Sequence, residues 1–465
     1  MKLFRKSMPL NSLEKFMLAH ESETVSYNSQ ICIEFEGLVN KDQLLSAIEQ
    51  FINIIPLLRT TVTKGFLNFK RQIKPKNDLD INRFLIFKDS TIIQEDIDSF
   101  SQMKFNLSEG HNFCILVSRL QTGKNILIFN VHHSLCDAAG QFLLLEEFFR
   151  ILNGLPVREE AKTTQVFRYR SLVKYLGIKW VFNNFLESFR TLKAQRNYQM
   201  ATLVDNLNEE SRKVSSKTYY LNQAEQDYII QECKKRDISI TEYITVNCFK
   251  AMDEVLISRN DFKTPIMVYL PKTLRPFLKI RYSFQNILST VVIVGKRNEI
   301  NQDSFFSKVK HIINSHKMDK ASKFIFSTLF MTALTPVSKL QKFYRELDLN
   351  PNSITSSLLI SAGRVPRSFT FPNNWIKPTV WARGTMLKSP GIGVIYTGVL
   401  GSETLTIEYL KFCTNESTIN LFQERLLKNI LNQNELLSSS LPEAKVGYEI
   451  PSVLTNELNT QSISV

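Results

Sequence analysis

Apolar positions along this chain recur in two rhythms. Residues 26–36 alternate well enough for a β-strand. Over 41–55 the apolar side chains fall at Leu44, Ile48, Phe51 and Ile55, one face of an α-helix. Pro56 stops that helix, and 57–62 reads as a strand with 67–73 as its hairpin partner. The clearest hairpin joins 113–120 to 124–131 through Gln121, Thr122 and Gly123, and a helical pattern over 141–151 follows it.

Residues 195–217 turn polar and end in Glu209-Glu210-Ser211-Arg212-Lys213. A second series follows, with strands expected over 218–221, 266–270, 286–295 and 356–362 and helices over 224–236, 240–258 and 304–318. A last hairpin is expected over 391–400 and 405–410, then a closing helix over 417–431. Beyond 433 the chain is rich in Ser, Asn and Glu without periodicity, and is expected to be a mobile tail. The two halves share one grammar of mixed strands and flanking helices. The expected fold is α+β with two lobes: 1–195, a linker at 196–217, 218–433, and the tail at 434–465. Small-molecule sites commonly lie in the cleft between such lobes.

Composition narrows the class. The 465 residues are 43% apolar and 22% charged, ordinary for a soluble globular protein. No run approaches the ~20 apolar residues of a membrane span, and Met1-Lys2-Leu3-Phe4-Arg5-Lys6 has charge with no apolar stretch behind it. A cytoplasmic protein is expected. The six cysteines are scattered without a Cys-x-x-Cys pair, so they read as reduced, buried thiols. The net charge of +14 asks for an anionic partner. The basic residues are dispersed, with neither a Lys/Arg block nor an aromatic RNA-binding signature, which argues against nucleic acid. A denser basic and apolar mixture at 167–197 has the composition of an amphipathic helix that could touch an anionic membrane peripherally, set against a surface helix packed on one lobe.

The candidate chemistry sits at His132-His133-Ser134-Leu135-Cys136-Asp137. An apolar strand delivers two adjacent histidines to a strand-to-helix corner with a carboxylate close behind. A neutral imidazole is the side chain best suited to accept a proton near pH 7. Adjacent histidines on a strand point to opposite faces, so no metal site is expected. The remaining histidines, His20, His111, His311 and His316, read as solvated.

These residues, with Pro56-Leu57-Leu58-Arg59, Leu274-Arg275-Pro276, Phe284-Gln285-Asn286 and Pro390-Gly391-Ile392-Gly393-Val394, resemble the CoA-dependent acyltransferase superfamily marked by His-His-x-x-x-Asp-Gly. Peptide-synthetase condensation domains, wax ester synthases, polyketide-associated acyltransferases and alcohol acetyltransferases belong to it. The resemblance implies two chloramphenicol-acetyltransferase-like lobes with an active-site tunnel between them. It implies His133 as general base, with His132, Asp137 and Arg275 as structural residues and an Asp137–Arg275 pair. It offers Asn286, Ala138 and Ser134 as candidates for substrate binding or the oxyanion. Ala138 departs from the motif's Gly. No bound cofactor is implied; the co-substrate is an acyl-CoA or a phosphopantetheinyl-carrier thioester. The expected activity is transfer of an acyl group to a hydroxyl of a lipophilic acceptor, forming an ester. The alternatives are a condensation enzyme forming an amide between carrier-bound substrates, and a non-catalytic homologue.

Overall fold

The computed structural model describes residues 7–8, 10–22, 25–66, 68–90, 93–121, 123–163, 200–206, 213–316, 335–349, 356–364, 369–387, 389–399 and 402–431. The basic stretch at 167–197 and the tail at 434–465 lie outside them. The first half holds strands β1 (Ser7–Met8), β2 (Asn28–Glu36), β3 (Thr60–Lys64), β4 (Phe69–Ile73), β5 (Leu85–Ser90), β6 (Phe113–Leu120) and β7 (Lys124–His132). Its helices are α1 (Ser12–His20), α2 (Lys41–Ile54), α3 (Ile93–Ser101) and α4 (Ala138–Leu152). The second half holds β8 (Val214–Leu221), β9 (Ile266–Thr273), β10 (Leu288–Gly295), β11 (Leu358–Arg364), β12 (Ile376–Arg383), β13 (Ile392–Val399) and β14 (Ser402–Leu410). Its helices are α5 (Gln223–Lys235), α6 (Ile240–Ser258), α7 (Ser304–Ser315), α8 (Val337–Leu349) and α9 (Glu416–Leu431).

Two larger sheets carry the two lobes. The first runs β12-β2-β7-β6-β5, antiparallel apart from the parallel β6–β5 pair. The second runs β10-β9-β11-β13-β14-β8, with β11 parallel to both of its neighbours. A small sheet, β1-β4-β3, sits beside the first lobe. Alternation along β2 and β7 sends Ile31, Ile33, Leu127 and Phe129 toward α2 and α4, where Phe51 and Phe148 complete one core. The other face, with Ile128 and Trp381, meets Ile97 and Phe100 of α3. In the second lobe Phe249 of α6 and Phe422 of α9 share a core with Val394 and Ile407 of the sheet.

Local chemistry fixes where helices begin. Asn11 and Glu14 form a reciprocal capping box at α1, as do Ser239 and Glu242 at α6. Asp137 caps α4 by accepting from the Gly140 N–H at 2.8 Å.

Four expectations change. Residues 57–59 are a 3-10 turn, Pro56–Arg59, and β3 starts at Thr60, because the turn opens on Pro56 and the Thr60 hydroxyl donates to the Leu57 carbonyl at 2.8 Å. The expected linker at 196–217 is in part second-lobe structure: Ala201 N–H donates to Pro265 O, Asp205 N–H to Cys413 O, and 214–217 belong to β8. Strand β12 leaves the second half and pairs with β2 of the first sheet, so the lobes are interleaved in sequence. Finally, His20 and His316 are buried, His20 with its Nδ1 2.7 Å from the Tyr27 hydroxyl, and His111 is half-buried; only His311 of the four is exposed.

Candidate active site at the lobe seam

Strand β7 ends at His132, and the turn that follows places His133 between strand and helix. The main chain around His133 is held on every side. Its N–H donates to Tyr27 O at 2.6 Å, and its carbonyl accepts from Asn286 Nδ2 of the second lobe at 2.8 Å. The next carbonyl, that of Ser134, accepts from Arg71 Nη2 at 2.7 Å. Arg71 and its partner Glu14 (3.2 Å) are both essentially unexposed. Asn11 Nδ2 in turn donates to the Asn286 carbonyl at 3.0 Å, closing the circuit between α1 and the second lobe.

The imidazole of His133 is half-buried. Its Nδ1 lies 3.0 Å from the Cys136 carbonyl oxygen. A carbonyl only accepts, so Nδ1 carries the proton and Nε2 presents its lone pair. Among the described residues Nε2 has no hydrogen-bond partner. Burial pushes the pKa of His133 below the ordinary histidine value, outweighing the opposing pull of its own backbone and of Asp137. The ring is therefore neutral near pH 7.

His132 is locked the other way round. It is fully buried, and its Nδ1 accepts from the Ser134 N–H at 3.2 Å, with the Ser134 hydroxyl at 2.7 Å. Its proton therefore lies on Nε2, which faces Glu21 Oε2 at 3.1 Å. Burial opposes the charge on Glu21, yet the hydrogen bond from His132 and the nearby Lys104 hold its carboxyl below the usual range.

Asp137 and Arg275 join the lobes. Arg275 Nη1 and Nη2 each lie 2.8 Å from one oxygen of Asp137, the fork-to-fork geometry of a guanidinium on a carboxylate. Arg275 also donates to the carbonyls of Ser283 (3.0 Å) and Gln285 (2.8 Å). Asp137 further accepts from Gly140 N–H and, across the seam, from Ile287 N–H at 2.9 Å. Four donors thus satisfy one carboxylate, and N-capping and Arg pairing coexist. Just behind, Gly140 packs so tightly that a Cβ there would lie 2.0 Å from Phe284 O.

The other candidates are placed as follows. Asn286 is fully buried with its amide on the His133 carbonyl, so it holds the loop and does not reach open space. Ser134 is buried, and its N–H and hydroxyl meet His132 while its carbonyl meets Arg71. Ala138 is exposed and is the first residue of α4 with negative φ, so the motif's glycine is not needed there for its backbone freedom. Cys136 is buried, and burial with the adjacent Asp137 pushes its thiol well above the ordinary range, which removes it as a nucleophile. All six cysteines are free and buried, and among the described residues no cluster of ligand side chains could hold a metal.

Sequence reading missed Arg71, Glu14, Glu21 and Tyr27. Arg71 lies in a strand reading Phe-Lys-Arg-Gln-Ile, where a buried arginine looks like its exposed neighbour Lys70. The signal available was the Asn11-x-x-Glu14 capping box, which marks the start of α1.

Residues 6–177 match the family model of the Condensation domain. The chain is 26% identical over 149 residues to gramicidin S synthase 2 of Brevibacillus brevis, a match that covers 31% of this chain and 3% of that protein. It superposes on the first condensation domain of the CDA synthetase with a TM-score of 0.63 at 13% identity, covering 92% of this chain and 95% of the other. A double mutant of the starter condensation domain of rhizomide synthetase, solved in complex with C8-CoA, gives 0.59 at 13% identity, covering 92% and 95%. The fold is the two-lobed fold of condensation domains, and the family match covers residues 6–177 of the chain. The chain spans only a small fraction of the length of the multidomain synthetases it matches. Among the described residues no helix is long and apolar enough to cross a membrane.

Proposed function

We propose that this chain is a condensing acyltransferase that joins a carrier-bound acyl thioester to the amine of a second carrier-bound substrate, with His133 as base. The observation that carries the proposal is the tautomer of His133. Its Nδ1–H is committed to the Cys136 carbonyl, and its Nε2 is kept as a neutral acceptor on a loop held from both lobes. The comparisons add weight to amide formation, because the relatives that match are peptide synthetases. Ester formation on a lipophilic hydroxyl, the first expectation from sequence, ranks below it. Membrane contact through 167–197 has no further support.

The reaction needs little beyond positioning. The donor carbonyl is already activated as a thioester. As the acceptor nitrogen attacks, Nε2 takes its proton, a contribution of roughly 10²–10⁴-fold. The C–N bond forms, the C–S bond breaks, and the imidazolium returns the proton to the departing thiolate. Asp137 and Arg275 stand behind the loop and do not relay the proton. They hold the loop that orients the ring across the seam. The net positive charge suits an acidic carrier protein or the phosphates of CoA.

Product mass spectrometry separates the readings. Acyl-carrier protein and acyl-CoA donors are crossed with carrier-bound amine and free alcohol acceptors. An amide from the carrier-bound pair is expected. Ester formed only with alcohols would reverse the ranking, and no product from any pair would leave a non-catalytic homologue.

A further inference from the structure

Four arginines are buried among the described residues: Arg59, Arg71, Arg275 and Arg383. Three face a carboxylate. Arg71 lies 3.2 Å from Glu14, Arg275 2.8 Å from Asp137 and Arg383 3.0 Å from Asp98. Arg59 is the exception. It is 7% exposed, and among the described residues no carboxylate, carbonyl or aromatic ring meets its guanidinium; its Nε is enclosed without a hydrogen-bond partner.

A guanidinium cannot shed its proton to escape burial. Buried charges are normally paired; only Nε of Arg59 is enclosed, and its terminal nitrogens reach open space with no counter-ion beside them among the described residues. Here the backbone that carries Arg59 is fixed. Its carbonyl accepts from Lys74 N–H at 2.9 Å, Leu58 is fully in the first-lobe core, and Asn112 Nδ2 donates to the Thr60 carbonyl at 3.2 Å. Asn112 also keeps an enclosed Oδ1 without a partner. That Oδ1 only accepts, so it adds nothing toward an anion; the group left without a counter-ion is the Arg59 guanidinium. Burial weakens the hold of Arg59 on its proton, with no acidic neighbour compensating.

We propose that Arg59 anchors a binding site for an oxyanion, phosphate or carboxylate, taken by the paired N–H groups of the guanidinium. The site is a property of the first lobe and does not depend on His133 turning over a thioester.

Equilibrium dialysis of the full chain with radiolabelled inorganic phosphate, and separately with radiolabelled acetate, measures it directly. One saturable site for at least one of the two is expected, and which one binds identifies the oxyanion. Arg59→Lys and Arg59→Met weaken it on the order of ten-fold or more, the loss of charge-assisted hydrogen bonds. Thermal unfolding in buffer free of both anions gives a second readout. Arg59→Met is expected to melt at or above the wild-type temperature, because it removes a charge that has no partner. Adding the bound anion then raises the melting temperature of the wild type and leaves Arg59→Met unmoved. Absence of a saturable site for both anions, equal binding by wild type and Arg59→Lys, or Arg59→Met melting below wild type without anion would each overturn the proposal.

Discussion

Two buried arginines tie the lobes together, and they do so differently. Arg275 reaches from the second lobe to Asp137 at the motif loop, with both terminal nitrogens hydrogen-bonded and only Nε left without a partner. Arg383, at the end of β12, lies 3.0 Å from Asp98 on α3 and 3.5 Å from Glu408 on β14, yet none of its three nitrogens makes an aligned hydrogen bond. At the first seam the carboxylate is saturated by four donors. At the second, a cation sits between two carboxylates, and burial pushes the pKa of Glu408 up to about 7. The contrast separates a seam whose arginine is fixed by hydrogen-bond geometry from one whose arginine acts by charge, with Glu408 hydrogen-bonded instead to the Gly384 N–H. The geometric one is where the candidate catalytic ring sits, as a site that must hold an imidazole to within fractions of an ångström requires.

The largest effect is expected at the first seam. Asp137→Ala leaves Arg275 buried without its carboxylate and removes the α4 cap, so denaturant unfolding should show a loss of about 3–5 kcal/mol, with turnover lost as well. A variant with wild-type stability and no activity would contradict the structural role. Gly140→Ala comes next. Its new Cβ collides with the Phe284 carbonyl, a backbone atom that cannot swing aside, and a loss of about 1–3 kcal/mol is expected in the same assay. A neutral Gly140→Ala would mean the seam gives way easily.

The second seam should respond less. Arg383→Met is expected to cost on the order of 1 kcal/mol, because no aligned hydrogen bond is lost and Glu408 can take up a proton to relieve the carboxylates. A loss equal to that of Asp137→Ala would erase the distinction between the seams. The last effect is a slope. Glu408 has a folded-state pKa of about 7 against an ordinary 4.5, so the folded protein binds more protons between those values. Its contribution is therefore full below about pH 4.5 and is lost as pH rises through about 7. Urea midpoints measured from pH 5 to 8 should show this decline in wild type, and Glu408→Gln should flatten it.

How much of this was legible beforehand differs by region. The hairpin β6–β7, helix α6 and the motif carry strong local patterns and stand close to where periodicity puts them. Strand β12 does not, because Pro378 interrupts it. Only its place at a sheet edge, with a register shift between Ile376 and Thr379, lets a proline sit there. Helix α3 was missed because its apolar residues are few; Ile97 and Phe100 become meaningful only against the face of the first sheet. At the site, the two histidines and Asp137 are neighbours in sequence and could be read together. The Asp137–Arg275 pair was named only through the family resemblance, since 138 residues separate the partners. Arg71 had no such guide, because nothing local distinguishes a buried arginine in a short strand from a solvated one; Glu14 was marked only by its capping box with Asn11.

The central claim is that the Nε2 of His133 accepts the proton of the attacking group. The most direct measurement is the single-turnover rate of product formation from the donor–acceptor pair found active, for wild type and His133→Ala, across pH 4.5–8. The account predicts a wild-type rate that falls on the acid side with an apparent pKa below the ordinary histidine value of 6.5, the direction burial imposes. It also predicts that His133→Ala loses on the order of 10²-fold or more and the acid limb with it. A folded His133→Ala protein that keeps both the wild-type rate and the same pH profile would contradict it.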